Sequence, residues 1–402
     1  MQKIYLDNSA TTPVDREVLR AMLPYFSEKF GNPSSIHSLG QEGAEAILEA
    51  REKIALFLGC QKEEIIFTSG ATEANNLALK GVMQACFQKT GKKGHLITSQ
   101  IEHKAILEPA QVLEQEGYKV TYLPVSGEGI VEMQEVRKAI RDNTVLISLM
   151  YANSETGAIQ PISEIGQFIK KINAKRVNPA PQGCRVNKIF VHTDAAQAVQ
   201  YLDCNANSLG VDLLTLAGHK IYAPKGVGAL YVKKGTPIIP IQQGGSQEYG
   251  LRAGTENVPY IVALAKACEL VAQNRLRVSK KLAKLRDYLI QKIKKDILYC
   301  QLNGPRGERR LPNNVNFSFK GAEGESIVLD LDLEGIAVST GSACTSHDLK
   351  PSHVLTAMGI SPEIAHGSVR ITLSKYTTAA EINKLIQVLP KIVERFRKMA
   401  PK

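Results

Sequence analysis

Short apolar runs alternate with longer amphipathic segments between about residues 64 and 232 of the chain. Such runs predict buried strands, and most of the segments between them are long enough to form a crossover helix. The predicted strands are EIIFT (64–68), HLITS (95–99), KVTYL (119–123), VLISLM (145–150), IFVHT (189–193), LLTLA (213–217) and GALYV (228–232). This alternation indicates an α/β fold built on a mainly parallel sheet of seven strands.

The pattern changes from about residue 261 to long basic helices, followed by short strand-like segments. The clearest of these segments are NNVNFSF (313–319) and SVRITLS (368–374). We therefore predict a large domain over residues 16–261 and a smaller α+β domain over residues 262–402, which the N-terminal arm 1–15 joins. Residues 173–188, rich in proline, glycine and basic residues, are expected to form a surface excursion from the large domain.

The composition is that of an ordinary globular protein, with 44% hydrophobic and 22% charged residues. No apolar run approaches the roughly 20 residues that span a bilayer, and the N-terminus lacks a signal-peptide core. We therefore expect a cytoplasmic protein without membrane contact. The net charge of +11 comes partly from a basic helical segment at residues 275–296, which is more typical of a solvated helix face than of an acidic partner's binding surface. No direct nucleic-acid binding is expected.

The seven cysteines form no CxxC pair and show no spacing suited to a metal site. We expect free thiols in a reducing compartment, with one of them a candidate nucleophile. The cysteines are Cys60, Cys86, Cys184, Cys204, Cys268, Cys300 and Cys344.

Polar residues directly follow several of the predicted strands. SGATEANN follows the first strand and opens a helix, whose backbone N–H groups would form a phosphate-binding cup together with the Thr72 hydroxyl. The other candidates at strand ends are His103, Asp194, Gln197, His219 and Lys220. Each alone has a structural explanation as a turn, cap or solvent-facing residue. Because the carboxyl ends of parallel strands open on one crevice, we expect these residues to converge on a single site.

These residue types indicate a cofactor. No GxGxxG or GxxxxGK[ST] motif is present, which disfavours a dinucleotide or P-loop site. A phosphate cup, a carboxylate, a lysine and a histidine are the groups that pyridoxal 5'-phosphate requires. A lysine binds the cofactor aldehyde, and an aspartate keeps the pyridine nitrogen protonated so that the ring accepts electrons. The sequence therefore predicts a pyridoxal-phosphate enzyme.

Eight segments between residue 4 and about residue 397 share their order and spacing with one family. They are YLDNSATTPVD, FGNPSSIHSLG, IIFTSGATEANNLALKG, EHKAIL, HTDAAQAVQ, GHKIYAPKGVGALYV, RAGTEN and STGSACTS. Together they resemble the cysteine desulfurases, and GSACTS resembles the NifS/IscS-like group of the class-V aminotransferase family. The resemblance implies a homodimeric fold-type I transferase that converts L-cysteine to L-alanine. It also implies sulfur supply to an iron–sulfur scaffold or another acceptor protein, with other thio-cofactors, tRNA thiolation and selenocysteine as further expectations.

The resemblance implies roles for individual residues. Lys220 binds the cofactor covalently and acts as a base, His103 stacks on the ring and moves protons, and Cys344 becomes the persulfide. The implied cofactor-binding residues are Ala71, Thr72, His103, Ser154, Asp194, Gln197, His219, Lys220 and Thr255, the last from the partner subunit. Arg370 and Asn153 are expected to bind the substrate, Arg370 through the carboxylate. No resident metal is expected, although Cys344 could ligate an iron–sulfur cluster transiently.

Two positions depart from the family pattern. Ser154 stands where the family often has asparagine, so we expect a weaker contact there or compensation by Asn153. Ala217 stands where many members have serine, which removes one phosphate hydroxyl worth about 1–2 kcal/mol. Two alternatives stay open: another pyridoxal-phosphate enzyme (an aminotransferase or a cysteine lyase), and a non-catalytic sulfur-relay scaffold. The small residues around Cys344 favour persulfide transfer, since they suit a loop that reaches an outside acceptor.

Overall fold

The computed structural model describes residues 3–176, 188–341 and 351–399. Cys184, Cys344 and most of the predicted excursion at residues 173–188 lie outside this part of the chain. The described residues contain twelve strands, numbered in chain order. They are β1 (Ile4–Tyr5), β2 (Ile65–Thr68), β3 (His95–Ser99), β4 (Lys119–Leu123), β5 (Thr144–Met150), β6 (Phe190–Asp194), β7 (Leu213–Ala217), β8 (Gly228–Val232), β9 (Cys300–Leu302), β10 (Asn314–Phe319), β11 (Ile336–Ala337) and β12 (Ser368–Thr372).

Thirteen α-helices occur in the same ranges, and the ends of several follow local capping chemistry. They are α1 (Arg16–Met22), α2 (Pro24–Ser27), α3 (Ser38–Leu58), α4 (Ala71–Thr90), α5 (Lys104–Gln115), α6 (Met133–Ala139), α7 (Ile162–Arg176), α8 (Ala206–Leu209), α9 (Val258–Asp296), α10 (Gly324–Leu333), α11 (His353–Ala357), α12 (Pro362–His366) and α13 (Ala379–Met399). The Asp15 carboxylate, for example, accepts the Glu17 N–H at the start of α1. Gly59 ends α3 in the left-handed conformation. None of the described helices is both long and apolar enough to cross a membrane.

The central sheet has seven strands in the order β2-β8-β7-β6-β5-β3-β4. The four pairs from β7 to β4 are parallel, whereas β8 runs antiparallel to both of its neighbours. Every residue of β5, β6, β7 and β8 is buried. Such continuous burial is typical of a parallel sheet covered on both faces. The predicted α/β fold with a mainly parallel seven-stranded sheet is therefore confirmed.

The N-terminal arm connects the two halves of the molecule. Strand β1 pairs in parallel with β11, and Asp7 then bridges to Thr372 at the end of β12. Strand β12 belongs to a second, antiparallel sheet in the order β12-β10-β9. Further along the arm, the Thr12 N–H donates to the His219 carbonyl at 2.9 Å. The arm therefore runs from the second sheet to the carboxyl end of β7.

Helix α9 has 39 residues and packs against both parts of the fold. It contacts α1 and α3, which precede it in the chain, and β9, β10 and α13, which follow it. One continuous hydrophobic core includes residues such as Ile54, Leu264 and Phe317 from all of these regions. The predicted boundary between residues 261 and 262 falls in the first turns of α9. The division into domains stays a prediction.

Candidate active site

Lys220 lies at the carboxyl end of β7, at the close of the turn Gly218–Lys220. Its Nζ donates to the carbonyls of Ser9 at 2.5 Å and Ala10 at 2.8 Å. The Gln197 side-chain amide donates to the same Ser9 carbonyl at 3.0 Å. A Cβ at Gly218 would lie 2.8 Å from the Val227 side chain, so the turn requires glycine to pack this closely. The arm therefore orients the lysine amine through two backbone acceptors.

His219 lies beside Lys220 and faces the arm. Its Nδ1 is 3.2 Å from the Thr11 hydroxyl, and its carbonyl accepts hydrogen bonds from Thr12. Burial, together with the positive charges of Lys220 and Lys225, lowers the pKa of His219 to about 4. The imidazole is therefore neutral at physiological pH, and it can donate or accept a hydrogen bond without adding charge.

Asp194 is the last residue of β6, and its side chain is held by two donors. The Asn75 amide donates to one carboxylate oxygen at 2.7 Å, and the Ala196 N–H donates to the other at 2.9 Å. Asn75 lies on α4 and is fully buried. Asp194 itself is only 8% exposed. The carboxylate thus has a fixed orientation at a strand end next to that of Lys220, since β6 and β7 are paired.

The start of α4 is the part of the site suited to an anion. Gly70 precedes the helix, and no side chain of the described residues caps it. A Cβ built at Gly70 would meet no atom within 4 Å, so open space adjoins the first turn. Ala71 is half-buried and Thr72 is exposed there. Backbone N–H groups at an uncapped helix start, together with the helix dipole, bind phosphate well.

This helix start lies close to Lys220 because of strand pairing. Gly228 in β8 pairs with Thr68 on one side and with Ala217 on the other. The end of β2 leads into α4, and the end of β7 leads into the Lys220 turn. These two strand ends therefore lie on either side of Gly228. A helix start suited to an anion, an amine and a fixed carboxylate are thus present at one edge of the sheet. These groups fit a cofactor that carries a phosphate, an aldehyde and a ring nitrogen.

His103 occupies the N-cap of α5, after β3. Its Nδ1 accepts the Ala105 N–H at 3.1 Å. Nδ1 is therefore unprotonated in this arrangement, and the neutral ring carries its proton on Nε2. The side chain is exposed, so Nε2 can exchange a proton with a ligand in the crevice.

Arg370 on β12 is nearly buried, at 4% exposure, and retains one unused donor. Its Nη2 donates to the Asp7 carboxylate at 2.9 Å, and its Nη1 donates to the Ser154 carbonyl at 3.4 Å. Within the described residues, the Arg370 Nε has no hydrogen-bond partner. A buried donor without a partner is costly, and a substrate carboxylate would supply the acceptor.

Two predicted contacts receive less support from the geometry. The Asn153 side chain accepts the N–H groups of Glu155 and Thr156, and donates to the Ile101 carbonyl at 3.1 Å. These bonds hold the turn after β5 and leave little capacity for a substrate. Thr255 is exposed before α9, and no hydrogen bond in the described ranges joins it to the other site residues. The roles predicted for Asn153, Ser154 and Thr255 stay predictions.

Glu155, which has no role predicted from the sequence, lies among these groups at 6% exposure. The Ser352 hydroxyl donates to its Oε2 at 2.5 Å. A Cβ at Gly341 would lie 2.9 Å from the same oxygen. Burial raises the pKa of Glu155 to about 7, against the opposing effects of the Ser352 hydrogen bond and of the charge on Arg370. The only sequence signal for Glu155 is its position after β5, in the segment Asn153-Ser154-Glu155.

Glu102 is a second carboxyl group that the sequence did not single out. It is 1% exposed and accepts hydrogen bonds from the Ser99 hydroxyl at 2.6 Å and from the Met150 N–H. Burial raises the pKa of Glu102 to about 8, and the negative charge of Asp194 contributes in the same direction, against these two hydrogen bonds. A proton on Glu102 at neutral pH therefore avoids a second negative charge near Asp194.

Replacing Glu102 by glutamine is expected to weaken the pH dependence of the free energy of unfolding. The folded carboxyl titrates at about 8 and the unfolded one near 4.5. Between these values the folded state binds the extra proton, so stability falls as pH rises, by up to about 1.4 kcal/mol per pH unit. Urea unfolding of wild type and Glu102→Gln at a series of pH values measures the difference. Glu108→Gln, at an exposed position on α5, is the control and should match wild type. An unchanged slope in Glu102→Gln would contradict a neutral Glu102.

The described cysteines share one electrostatic property. Burial raises the pKa of all five thiols, to about 12 for Cys60 and Cys268 and to about 11 for Cys86, with Cys204 and Cys300 shifted in the same direction. A thiol with a raised pKa is a poor nucleophile at neutral pH, because the thiolate is the reactive form. None of these five therefore suits nucleophilic catalysis, whereas Cys184 and Cys344 lie outside the described residues.

The chain is similar over its whole length to known proteins. Residues 4–385 match the family model described as Aminotransferase class-V. Over 400 residues the chain is 50% identical to the protein "Cysteine desulfurase IscS" of Dictyoglomus turgidum, which covers 100% of this chain and 97% of the relative. A solved structure named "NIFS-LIKE PROTEIN" is 38% identical, with a TM-score of 0.88, and covers 98% of this chain and 100% of that chain. Another solved structure, "SspA in complex with cysteine", is 37% identical, with a TM-score of 0.78. The match covers 93% of this chain and 100% of that chain.

Proposed function

Because the chain belongs to the cysteine desulfurases of the class-V aminotransferase family, we propose that it converts L-cysteine to L-alanine and takes the sulfur onto Cys344 as a persulfide. One observation supports Cys344 above all. Gly341 and Ser352 lie close to either end of the segment that holds Cys344, and both adjoin the Glu155 carboxyl. Glu155 interacts in turn with Arg370 and His103. The segment therefore starts and ends beside the groups proposed to handle the substrate.

The enzyme uses pyridoxal 5'-phosphate, as its family does, and the residues at the sheet edge fit that cofactor. We propose that Lys220 binds its aldehyde, Asp194 its ring nitrogen, and the first turn of α4 with Thr72 and His219 its phosphate. Gln197 and His103 would contact the ring. When bound, the cofactor supplies an electron sink for the pair of electrons left at the substrate Cα.

The protein's own groups would bind the substrate and move its protons. Arg370 binds the substrate carboxylate through Nε, while Asp7 keeps the guanidinium in place. Lys220 Nζ takes the proton from Cα, a role that suits a lysine amine placed at the substrate. The carbonyls of Ser9 and Ala10 hold that amine when it is not bound to the cofactor.

Sulfur transfer then requires one thiol and no oxidant. The Cys344 thiol gives its proton to His103, whose Nδ1 accepts it in place of the Ala105 N–H, and the resulting thiolate attacks the sulfur of the bound cysteine. The S–S bond forms while the substrate C–S bond breaks. The former Cβ gains a proton and becomes the methyl group of alanine. Cys344 is left as the persulfide, so atoms and electrons balance between one cysteine, one thiol and the two products.

We also propose a homodimer in which Thr255 contacts the phosphate bound by the partner. Thr255 is exposed in the single chain. Large apolar side chains are exposed along α1, α2 and the connection from α2 to α3, namely Leu19, Leu23, Phe26, Phe30 and Ile36, with Ile36 at 94% exposure. Such a series of exposed apolar residues is typical of a protein interface, and a second copy of the chain is the occupant that we propose.

The sulfur acceptor and the compartment follow the same family. We propose that the persulfide supplies an iron–sulfur scaffold protein, with other thio-cofactors and tRNA thiolation as secondary uses. The described cysteines are all free thiols, which fits the reducing environment of the cytoplasm.

Product analysis tests this function against its alternatives. Purified protein is incubated with L-cysteine and a thiol reductant, with and without pyridoxal phosphate, and alanine, sulfide and pyruvate are measured. A desulfurase forms alanine and sulfide in equal amounts and depends on the cofactor. A cysteine lyase would form pyruvate instead of alanine, and an aminotransferase would require an added 2-oxo acid. Absence of every product and of bound cofactor would favour the sulfur-relay scaffold.

A further inference from the structure

A cavity of about 510 Å³ lies beside the segment that follows Lys220. It is bounded by the end of the arm at Asp15, the middle of α9, residues 221–222 and residues 375–376. None of the residues assigned to catalysis or to the cofactor is among its described lining residues. Its volume lies within the range of small-molecule sites, about 300–1,000 Å³.

One part of the cavity wall is apolar, and the remainder is polar or charged. Ile221, Tyr222, Ala267 and Val271 line it and are buried in the fold. Leu270 and Val278 add half-buried walls from α9. A ligand here would therefore place a hydrocarbon or aromatic body against these side chains, since burial of apolar surface is the main source of affinity in such pockets.

The mouth of the cavity carries uncompensated positive charge. Arg277 and Lys281 lie one turn apart on α9 and are exposed at the rim. The Arg277 guanidinium donates to the Asn274 side chain at 2.7 Å, and Lys281 Nζ donates to the Lys375 carbonyl at 3.0 Å. Both partners are neutral, and no carboxylate of the described residues lies within 4.0 Å of either cation.

The other charged groups of the cavity are already paired. Asp15 accepts hydrogen bonds from Lys375 and from the Tyr376 hydroxyl. Glu17 lies 3.6 Å from Lys266. Arg275 bonds the Leu202 carbonyl and pairs with Asp203 at 3.3 Å. Only Arg277 and Lys281 therefore remain to attract a charged ligand, and they select an anion.

We propose that this cavity binds a small amphipathic anion, with one carboxylate or comparable acidic group and an apolar body, and that its occupancy is coupled to Lys220. The apolar body lies against Val271 and Val278, and the acidic group lies between Arg277 and Lys281. The site is distinct from the active site, and its ligand is a regulator of the enzyme.

The physical coupling passes through Tyr222 and the arm. Tyr222 has a φ of 67°, a strained value for a residue with a side chain. Its N–H donates to the Thr12 hydroxyl at 2.9 Å, and its carbonyl accepts the Asp15 N–H at 2.9 Å. The same arm provides the Ser9 and Ala10 carbonyls that hold Lys220 Nζ. A ligand that contacts Tyr222 therefore biases the arm that orients the lysine.

Binding is tested with octanoate on the cofactor-loaded protein, by isothermal titration calorimetry. Octylamine, which has the same chain and the opposite charge, is the comparison ligand. The variant R277E/K281E reverses both rim charges, whereas K280E/K284E makes the same changes at exposed positions of α9 outside the cavity. We expect octanoate to bind wild type and K280E/K284E alike, to bind R277E/K281E about tenfold or more weakly, and octylamine not to bind.

A second variant tests the binding site without changing its charge. Val278→Phe fills part of the cavity without changing its charge, and it should weaken octanoate binding too, because it takes up the space for the ligand. Circular dichroism and thermal unfolding check that each variant folds. Equal octanoate affinity in wild type, R277E/K281E and Val278→Phe would overturn the site, as would the absence of octanoate binding to wild type.

Coupling is measured separately, from the visible absorbance of the bound cofactor as a function of pH. Saturating octanoate should move the midpoint of this titration by about 0.7 pH unit, the fivefold effect at the lower end of ordinary linkage. The shift should persist in K280E/K284E and disappear in R277E/K281E. Octanoate binding without any shift of the midpoint would overturn the coupling to Lys220. Neither measurement depends on which product the enzyme forms from cysteine.

Discussion

Replacing Cys344 by alanine is expected to abolish alanine formation from L-cysteine while the protein still binds pyridoxal phosphate and remains yellow. The lysine, aspartate and phosphate-binding groups are unchanged in this variant, so cofactor binding persists. The thiolate that breaks the substrate C–S bond is absent, and a loss of about a thousandfold or more is the usual result of removing a nucleophile. Alanine production and the visible spectrum are measured on the same preparation.

Two other cysteine variants serve as controls for this experiment. Cys300 is half-buried, its thiol donates to the Ile297 carbonyl at 3.1 Å, and burial raises its pKa. Cys300→Ser should therefore retain wild-type activity. Cys184→Ser should do so as well, and alkylation followed by mass spectrometry should locate the persulfide on Cys344. Wild-type alanine formation by Cys344→Ala, or a persulfide found on Cys184, would contradict the proposed sulfur path.

Six of the seven strands of the central sheet are buried throughout, and their apolar sequences made them predictable, whereas the edge strand β4 is only partly buried. Each of the seven predicted segments overlaps an observed strand, and the limits agree to within one residue. LLTLA and GALYV coincide with β7 and β8, at Leu213–Ala217 and Gly228–Val232. A strand covered by helices on both faces requires a continuous apolar run, which is visible in the sequence without any knowledge of its neighbours. The strand order was not predictable in this way, since pairing depends on contacts between distant segments.

The site residues that could be predicted are those placed at the site by their position directly after a strand. Lys220, Asp194 and His103 follow strands of one sheet, and the direction of parallel strands places them at a common edge. The arm carbonyls that hold Lys220 lie more than 200 positions away in the chain. Glu155 similarly meets Ser352 across 197 positions. Such contacts leave no periodic pattern in the sequence. Every residue has a backbone carbonyl, whatever its type, and an acidic residue after a strand is also common in ordinary turns.

The Lys220→Ala variant is expected to lose alanine formation by about a thousandfold or more, even with saturating pyridoxal phosphate. General-base catalysis alone contributes about a hundredfold to ten-thousandfold, and this variant also removes the covalent attachment of the cofactor. The cofactor should still bind, because Asp194 and the start of α4 are intact, but its absorbance should resemble that of the unattached aldehyde. Steady-state alanine formation and the visible spectrum report the two effects.

Small amines distinguish loss of the base from loss of structure. The Lys220 side chain leaves space when it is truncated, and added methylamine could then accept the Cα proton in its place. Partial recovery of the rate with increasing methylamine would identify proton transfer as the lost step.

Since Lys220 Nζ also bonds the arm, Lys220→Gln, which keeps an N–H donor there, should unfold at nearly the wild-type temperature yet remain inactive. The exposed Lys225 provides the matched control, and Lys225→Ala should keep nearly full activity. Activity in Lys220→Gln equal to wild type would show that the lysine acts only by holding the arm.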